Sequence, residues 1–342
     1  MDGRVNETLE MDQEASRRLK VYYLASGAIA VPGLLALLAH PGIEVVGIGT
    51  QPDRPAGRKN HLTPTPVGAQ AVQLGLACDK PASCNDPSFL ETLRKMKLDA
   101  VVVVAYGQLL KKDLLGLPRL GCVNVHASLL PRFRGASPIA SCLLAGDALT
   151  GVTTMLMDRG LDTGPQLRLH PLAVAPDETA GSLEAKLARL AAEILPADLL
   201  DLASGKLGPT PQDSAAATLC AKISKSEAAL DFSLPALELE RRIRAYQPWP
   251  GAFTYAAGPK GRRRLVVTAA ACVPLPPGAP PGSVIAADKK GIQIACGQDA
   301  LLLTRLIPEG KGEMSTADFL LGFPLAAGTV LSANPTAEPP SP

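Results

Sequence analysis

Apolar positions along the chain fall into two textures. Between Lys20 and about Leu202 they form runs of strand length separated by stretches of helical period; from Thr218 onward the runs are short, alternating and divided by turn residues. In the first texture Lys20–Ala25 predicts a strand, Ser26-Gly27 a turn, and a helix beginning near Ala28 or Val31 with Leu34, Leu35, Leu37 and Leu38 on its apolar face. Pro41-Gly42 ends that helix and Ile43–Gly49 predicts a second strand, so the chain opens on a strand–helix–strand unit of a parallel, Rossmann-like sheet. Helices are expected over Val67–Gly75 and Phe89–Lys97. Asp99–Ala105 is a continuous apolar run, as a central parallel strand buried on both faces requires. A helix from Pro138 to Ala145, strands over Thr150–Met157 and Leu167–Leu172, and a long helix from about Ser182 toward Leu202 complete this part. Between them, Thr50–Pro66 is Pro-rich, basic and too irregular for helix or strand.

The second texture predicts a helix over Ala236–Ala245 and then five short strands, at Ala252–Ala256, Arg264–Val273, Gly282–Ala287, Gly291–Ala295 and Leu301–Leu306. Five short strands divided by turns suit a small OB-like β-barrel. The fold class is therefore α/β: a Rossmann-like, mostly parallel sheet domain over 20–204, a Gly/Pro-rich linker over 205–217, and an OB-like β-barrel domain over 218–331. A polar extension precedes them at 1–19, and a Pro-rich tail, expected to be disordered, follows at 332–342.

The most specific stretch is Gly121-Cys-Val-Asn-Val-His-Ala-Ser-Leu-Leu-Pro-Arg-Phe-Arg-Gly135. Val123, Val125 and Ala127 alternate with Asn124, His126 and Ser128, so Asn124 and His126 leave the same face of a strand, about 6–7 Å apart along it. Two polar side chains at that distance can share one small reacting group. Ligands of such sheets bind outside the strand carboxyl ends, so Tyr106-Gly107-Gln108 and Asn124–Pro131 are expected to face one crevice. His170, in an alternating strand with no acid or nucleophile motif beside it, reads as structural, and Asp158 as a turn former. Trp249, between two prolines, reads as packed at the domain junction. Residue pattern alone does not choose among Asp147, Asp158 and Asp162 as a partner for His126.

Composition narrows the chemistry. A chain of 342 residues with 46% hydrophobic and 19% charged residues can bury a core in each of two domains. The net charge of +2 excludes general electrostatic binding of nucleic acid, so RNA contact must come from local basic clusters such as Arg54, Arg58 and Lys59 or the turn Lys260–Arg264. Seven scattered cysteines without a C-x-x-C pair argue against zinc ribbons and disulfide frameworks and fit a reduced, cytoplasmic protein. The four histidines lack paired spacing, so no metal is expected. Residues 1–20 lack the apolar core of a secretory signal, and Met11 is an alternative start. No membrane span is expected. G-x-G-x-x-G and, around Ser128, G-x-S-x-G are absent, which removes support for a dinucleotide site and for a serine hydrolase.

The run Asn124-x-His126-x-Ser128-Leu-Leu-Pro131 resembles the signature of the formyltransferases that take their one-carbon unit from 10-formyltetrahydrofolate. The likeness covers roughly residues 20–331, with Ala25-Ser26-Gly27 departing mildly from a turn that often carries another glycine. It implies 10-formyltetrahydrofolate as formyl donor and co-substrate, and a catalytic set of Asn124, His126 and Asp162, the last in its Leu-Asp-Thr-Gly setting. It further implies a folate site at Ser128, Leu129, Leu130 and Pro131 with Tyr106 and Gly107. The match of Gln51-Pro-Asp-Arg-Pro-Ala-Gly-Arg58 implies that Arg54, Arg58 and Lys59 grip the acceptor arm of a tRNA. Formylation of the α-amino group of initiator methionyl-tRNA by a monomer is then the expected activity. A sugar amine or glycinamide ribonucleotide as acceptor, or hydrolysis of the formyl donor, are the alternatives.

Overall fold

The structure, a computed structural model, describes residues 17–56, 60–258, 261–276 and 278–334. Most of the polar N-terminal extension, including Met11, lies outside the described residues, as do Arg58, Lys59, Lys260 and the last eight residues of the tail. The chain divides into two compact units that are not consecutive stretches: one takes Met1–Gly135, Leu149–Ala173 and Glu184–Leu219, the other Ala136–Ala148, Val174–Leu183 and Cys220–Pro342.

The first unit is built on β1 (Leu19–Ala25), α1 (Val31–Ala39), β2 (Ile43–Gly49), β3 (Arg54–Ala56), β4 (His61–Thr63), α2 (Pro66–Gln73), α3 (Pro87–Lys95), β5 (Ala100–Val104), α4 (Lys112–Leu115), β6 (Cys122–His126) and β7 (Arg134–Gly135). After α5 (Pro138–Ala145) the chain returns to it with β8 (Leu149–Leu156) and β9 (Gln166–Ala173), and most of α6 (Ala180–Ala203) follows. Six strands form one sheet in the order β2-β1-β5-β6-β8-β9, parallel from β2 to β6 and antiparallel from β6 to β9. The chain fills one side of β1 and then the other, so the strand order reverses between β1 and β5, where open α/β sheets leave a crevice at their carboxyl ends. All five residues of β5 are buried, as its unbroken apolar run predicts. Tyr22, Leu24, Phe89, Leu90, Leu93, Val101 and Val103 share one core.

Helix starts follow from the sequence. Pro66 and Pro87 stand in the first turns of α2 and α3, with Thr65 and Asp86 accepting from the amides of Gly68 and Ser88 as N-caps. Two expectations change. In α1 only Leu34 and Leu37 of the four leucines are buried, so its inward face is narrower. The Thr50–Pro66 stretch is not wholly irregular, because β3 and β4 pair as a short hairpin with Arg54 opposite Thr63. Three-residue strands with exposed side chains carry no alternation to read.

The second unit contains α5, β10 enters it at Cys220 (Leu219–Cys220), and α7 (Ala236–Ala245) packs on α5. Then come β11 (Phe253–Gly258), β12 (Gly261–Val273), β13 (Val284–Asp288), β14 (Gly291–Ala295), β15 (Ala300–Pro308), β16 (Met314–Ser315) and α8 (Thr316–Gly322). The five long strands form an antiparallel curled sheet in the order β11-β12-β15-β14-β13, the OB-like barrel expected. Its two edges are joined by the segment after α8. The Gly282 carbonyl and Val284 amide bond to Leu331 and Thr329, while Tyr255 and Ser332 exchange two backbone bonds. Ser332 thus closes the barrel, and the expected disordered tail does not begin there. Arg264 and Arg263, read as part of a basic turn, lie in β12 with their guanidiniums over the rings of Phe253 and Phe323. Trp249 is 52% exposed, which corrects its reading as a packed residue.

Asp99 ties β1 to β5. Its carboxylate, 3% exposed, accepts from the Lys20 amide, from Arg119 and from Arg17. Burial alone would push its pKa up, but these donors outweigh burial and hold the carboxyl below the usual range. A depressed pKa contributes stability above the unfolded value, about 3.9, and loses it as pH falls. Asp99→Asn is expected to lower urea stability by about 1–2 kcal/mol at neutral pH, because the two guanidiniums are half exposed. The difference from the parent protein should shrink as pH is taken below about 4.

Candidate active site

β6 carries the centre of the site. Val123 and Val125 are buried between neighbouring strands, and Asn124 (8% exposed) and His126 (6% exposed) project from the other face. Parallel pairing sets Asn124 opposite Val103 of β5; antiparallel pairing sets Asn124 and His126 opposite Met155 and Thr153 of β8. The connection from β8 to β9 brings Asp162 to both. Asn124 Nδ2 lies 3.4 Å from Asp162 Oδ1 and His126 Nδ1 lies 3.8 Å from Asp162 Oδ2. The same Oδ2 accepts from the Gly135 amide at 2.8 Å. His126 Nε2 is 2.9 Å from the Phe133 carbonyl. A carbonyl only accepts, so this contact places the hydrogen on Nε2 and leaves Nδ1, facing the carboxylate, as the ring position that can take a proton. Burial pushes the Cys122 thiol, on the same strand, up to about 12, so it is no thiolate near neutrality.

The Ser128–Gly135 loop is held from three directions. Thr153 Oγ1 donates to the Ser128 carbonyl and accepts from the Leu130 amide; Gln166 donates to the Leu130 carbonyl. Thr218 accepts from the Phe133 amide with its hydroxyl and from the Arg134 amide with its carbonyl, and its own amide donates to the Pro131 carbonyl. A further link is Gln212. Its Oε1 accepts from Arg134 Nε and Nη2 at 3.0 and 2.8 Å, and its Nε2 donates to the carbonyls of Asp162 and Gly164 at 2.8 and 2.7 Å. The stretch read as a linker from 205 to 217 therefore carries a residue bonded to both loops of the site. Sequence reasoning missed Gln212 and Thr218 because neither lies in a periodic segment; one amide among small residues and prolines is the only signal. Ala105, Phe133 and Asp162 have φ of 44°, 58° and 54°, a left-handed conformation that costs non-glycine residues free energy and clusters at functional sites.

The residues expected at the folate site divide. Ser128 is fully buried with its hydroxyl closing a turn on the Arg132 carbonyl, and Leu130 is also buried. Leu129 and Pro131 are partly exposed. The Tyr106 ring belongs to the core with Tyr22 and Phe89, and its hydroxyl is buried without a hydrogen-bond partner. Its backbone does line the crevice end of β5, where the Tyr106 carbonyl accepts from Gln51 Nε2 and from Ser26. Gly107 follows with φ of 84°, and Leu109 is 72% exposed. Arg54 is exposed on the β3–β4 hairpin and donates to Gln51; Arg58 and Lys59 lie outside the described residues. Two structural readings hold. Asp158 caps its turn by accepting from Gly160 and Thr163, and His170 bonds the buried Asp198, which also accepts from Thr154 and Arg168.

Residues 27–199 match the formyl transferase family and residues 222–324 the family's C-terminal domain. The chain belongs to the formyltransferase family. The methionyl-tRNA formyltransferase of Myxococcus xanthus is 46% identical over 312 residues, 91% of this chain and 97% of that one. The enzyme of the same name from Halorhodospira halophila is 45% identical over 309 residues, 90% and 98% of the two chains. Among solved structures, an N-formyltransferase from Helicobacter canadensis in complex with folinic acid and dTDP-3-aminofucose superposes with a TM-score of 0.59 at 15% identity, covering 83% of this chain and 99% of its own. HypX from Aquifex aeolicus in complex with tetrahydrofolic acid gives 0.57 at 14%, covering 89% and 47%. At such identities these show a shared fold. No helix among the described residues is long and apolar enough to cross a membrane.

Gly164 sits in the Asp162 turn, where a Cβ would lie 1.9 Å from the Leu156 carbonyl oxygen. Gly164→Ala must displace that turn and is expected to lower urea stability by about 1–3 kcal/mol. Gly208→Ala, with nothing within 4 Å of its Cβ, is the matched control and should leave the midpoint unchanged.

Proposed function

We propose that this formyltransferase moves the formyl group of 10-formyltetrahydrofolate onto the α-amino group of methionine carried by initiator methionyl-tRNA. The juxtaposition of Asn124, His126 and Asp162 supports the transfer chemistry. The choice of acceptor rests on relatives of that name matching nearly the full chain at 40–46% identity. Bound folate supplies an electrophilic formyl carbon and a nitrogen that must leave protonated. The crevice residues fit a flat, largely apolar ring: Leu109, Leu129 and Pro131 offer side chains, and Gly107 lets backbone approach closely.

Acyl transfer to an amine needs a donor for the negative charge that grows on the formyl oxygen, and a route for one proton from the attacking amine to the leaving nitrogen. Asn124 directs one N–H toward Asp162 and presents the other to the formyl oxygen without titrating. His126 takes the amine's proton at Nδ1 and returns it to the leaving nitrogen, while its Nε2–H stays on the Phe133 carbonyl. Asp162, aimed by the Gly135 amide, stabilises the imidazolium. Arg54, on the β3–β4 hairpin, grips the acceptor arm through its phosphates together with Arg58 and Lys59. An acceptor drawn from translation, and seven cysteines that form no disulfide among the described residues, support a cytoplasmic setting.

Two measurements test this reading. Asn124→Ala should keep the fold and lower kcat by on the order of 100-fold, with formyl transfer to charged initiator tRNA as the assay; near-parental turnover would remove Asn124 from the mechanism. Replacing Arg58 and Lys59 with Gln should raise KM for methionyl-tRNA at constant KM for the folate. It should also reduce the slope of log affinity against log salt by about 0.7–0.9 for each phosphate no longer neutralised.

A further inference from the structure

Gln212 lies between the segments matched by the two family domains, which end at 199 and begin at 222. We propose that it is a positioning residue for the catalytic carboxylate, its side-chain amide clamping the Asp162–Gly164 turn to Arg134 of the active loop; the inference rests on the catalytic reading of Asp162. The amide has one workable orientation. Arg134 can only donate and the carbonyls of Asp162 and Gly164 can only accept, so Oε1 must face the guanidinium and Nε2 the carbonyls, which satisfies four bonds at once. Arg134 is 7% exposed, so its side chain is itself fixed, and its neighbour Gly135 supplies the amide that aims Asp162 Oδ2.

The clamp has a conformational task. Asp162 sits at φ of 54°, and relaxing to negative φ would swing its carboxylate away from Asn124 and His126. Holding the carbonyl of Asp162 and that of Gly164, two residues on, pins both ends of this strained turn. The strand-like pairing of Thr210 with Gln166 and the bonds of Thr218 to the active loop fix the backbone on either side of Gln212. Gln212 acts on turnover through Asp162.

Gln212→Glu is the informative variant, because a carboxylate still accepts from Arg134 but cannot donate to the two carbonyls. Gln212→Ala, which strips the buried guanidinium of this acceptor, serves as the second. Formyl transfer to methionyl-tRNA, binding of tetrahydrofolate by calorimetry and thermal unfolding are measured for both, for Asp162→Asn and for the Asp162→Asn/Gln212→Glu double variant. The expected result for Gln212→Glu is a kcat lower by on the order of 10–100-fold, with folate affinity and KM for tRNA within about threefold. In the Asp162→Asn background the same change should cost less than about threefold, since both act through one group. A Gln212→Glu protein with parental kcat, an equal loss in both backgrounds, or a loss matched by the fraction unfolded would overturn the proposal. If Asp162→Asn itself turns over normally, the catalytic reading of Asp162 fails, and the positioning role fails with it.

Discussion

β6 is hydrogen-bonded to a parallel strand on one side and an antiparallel strand on the other, and this mixed pairing fixes where the chemistry can occur. The parallel neighbour aligns the carboxyl ends of β1, β5 and β6, which opens a crevice for a ligand. The antiparallel neighbour returns the chain along β6 and lets the turn after β8 fold over the face that bears Asn124 and His126. A wholly parallel sheet would need a crossover connection of a dozen or more residues at this place, and a carboxylate on such a connection would have no short tether to the strand.

The cost of this arrangement is local strain, and the structure answers it with hydrogen bonds rather than apolar packing. Phe133 and Asp162 both adopt left-handed backbone, at roughly 1 kcal/mol or more each. Phe133 gives its amide to Thr218 and its carbonyl to His126; Asp162 gives its carbonyl to Gln212 and its carboxylate to the Gly135 amide. Each strained residue thus gives at least one polar group to a partner far away in sequence, Phe133 to Thr218 and Asp162 to Gln212. The catalytic geometry is a tertiary property, and local sequence preferences work against it.

That division also explains what the sequence disclosed. The parallel half of the sheet was legible because burial on both faces leaves continuous apolar runs, as at Ala100–Val104, and the period of two by itself put Asn124 and His126 on one face. The carboxylate was not legible from pattern: Asp147, Asp158 and Asp162 are equivalent until the turn is folded, and only the family resemblance singled out Asp162. Gln212 and Thr218 stayed hidden in a stretch whose composition says connector. Tyr106 is the opposite case. Its place at the end of β5 is right, but a tyrosine in a core strand's register turns its ring inward even when its hydroxyl finds no partner there.

The seam of the second unit has a consequence of a different kind. Strand edges carry rows of unsatisfied amides and carbonyls that recruit other chains, and a curled sheet of five strands has two of them. Here Thr329–Ser332 caps both edges at once, bonding to Gly282 and Val284 on one side and Tyr255 on the other. Four residues therefore stand between a closed barrel and two sticky margins, and a chain cut before Thr329 would favour association of copies while leaving the chemistry of the first unit in place.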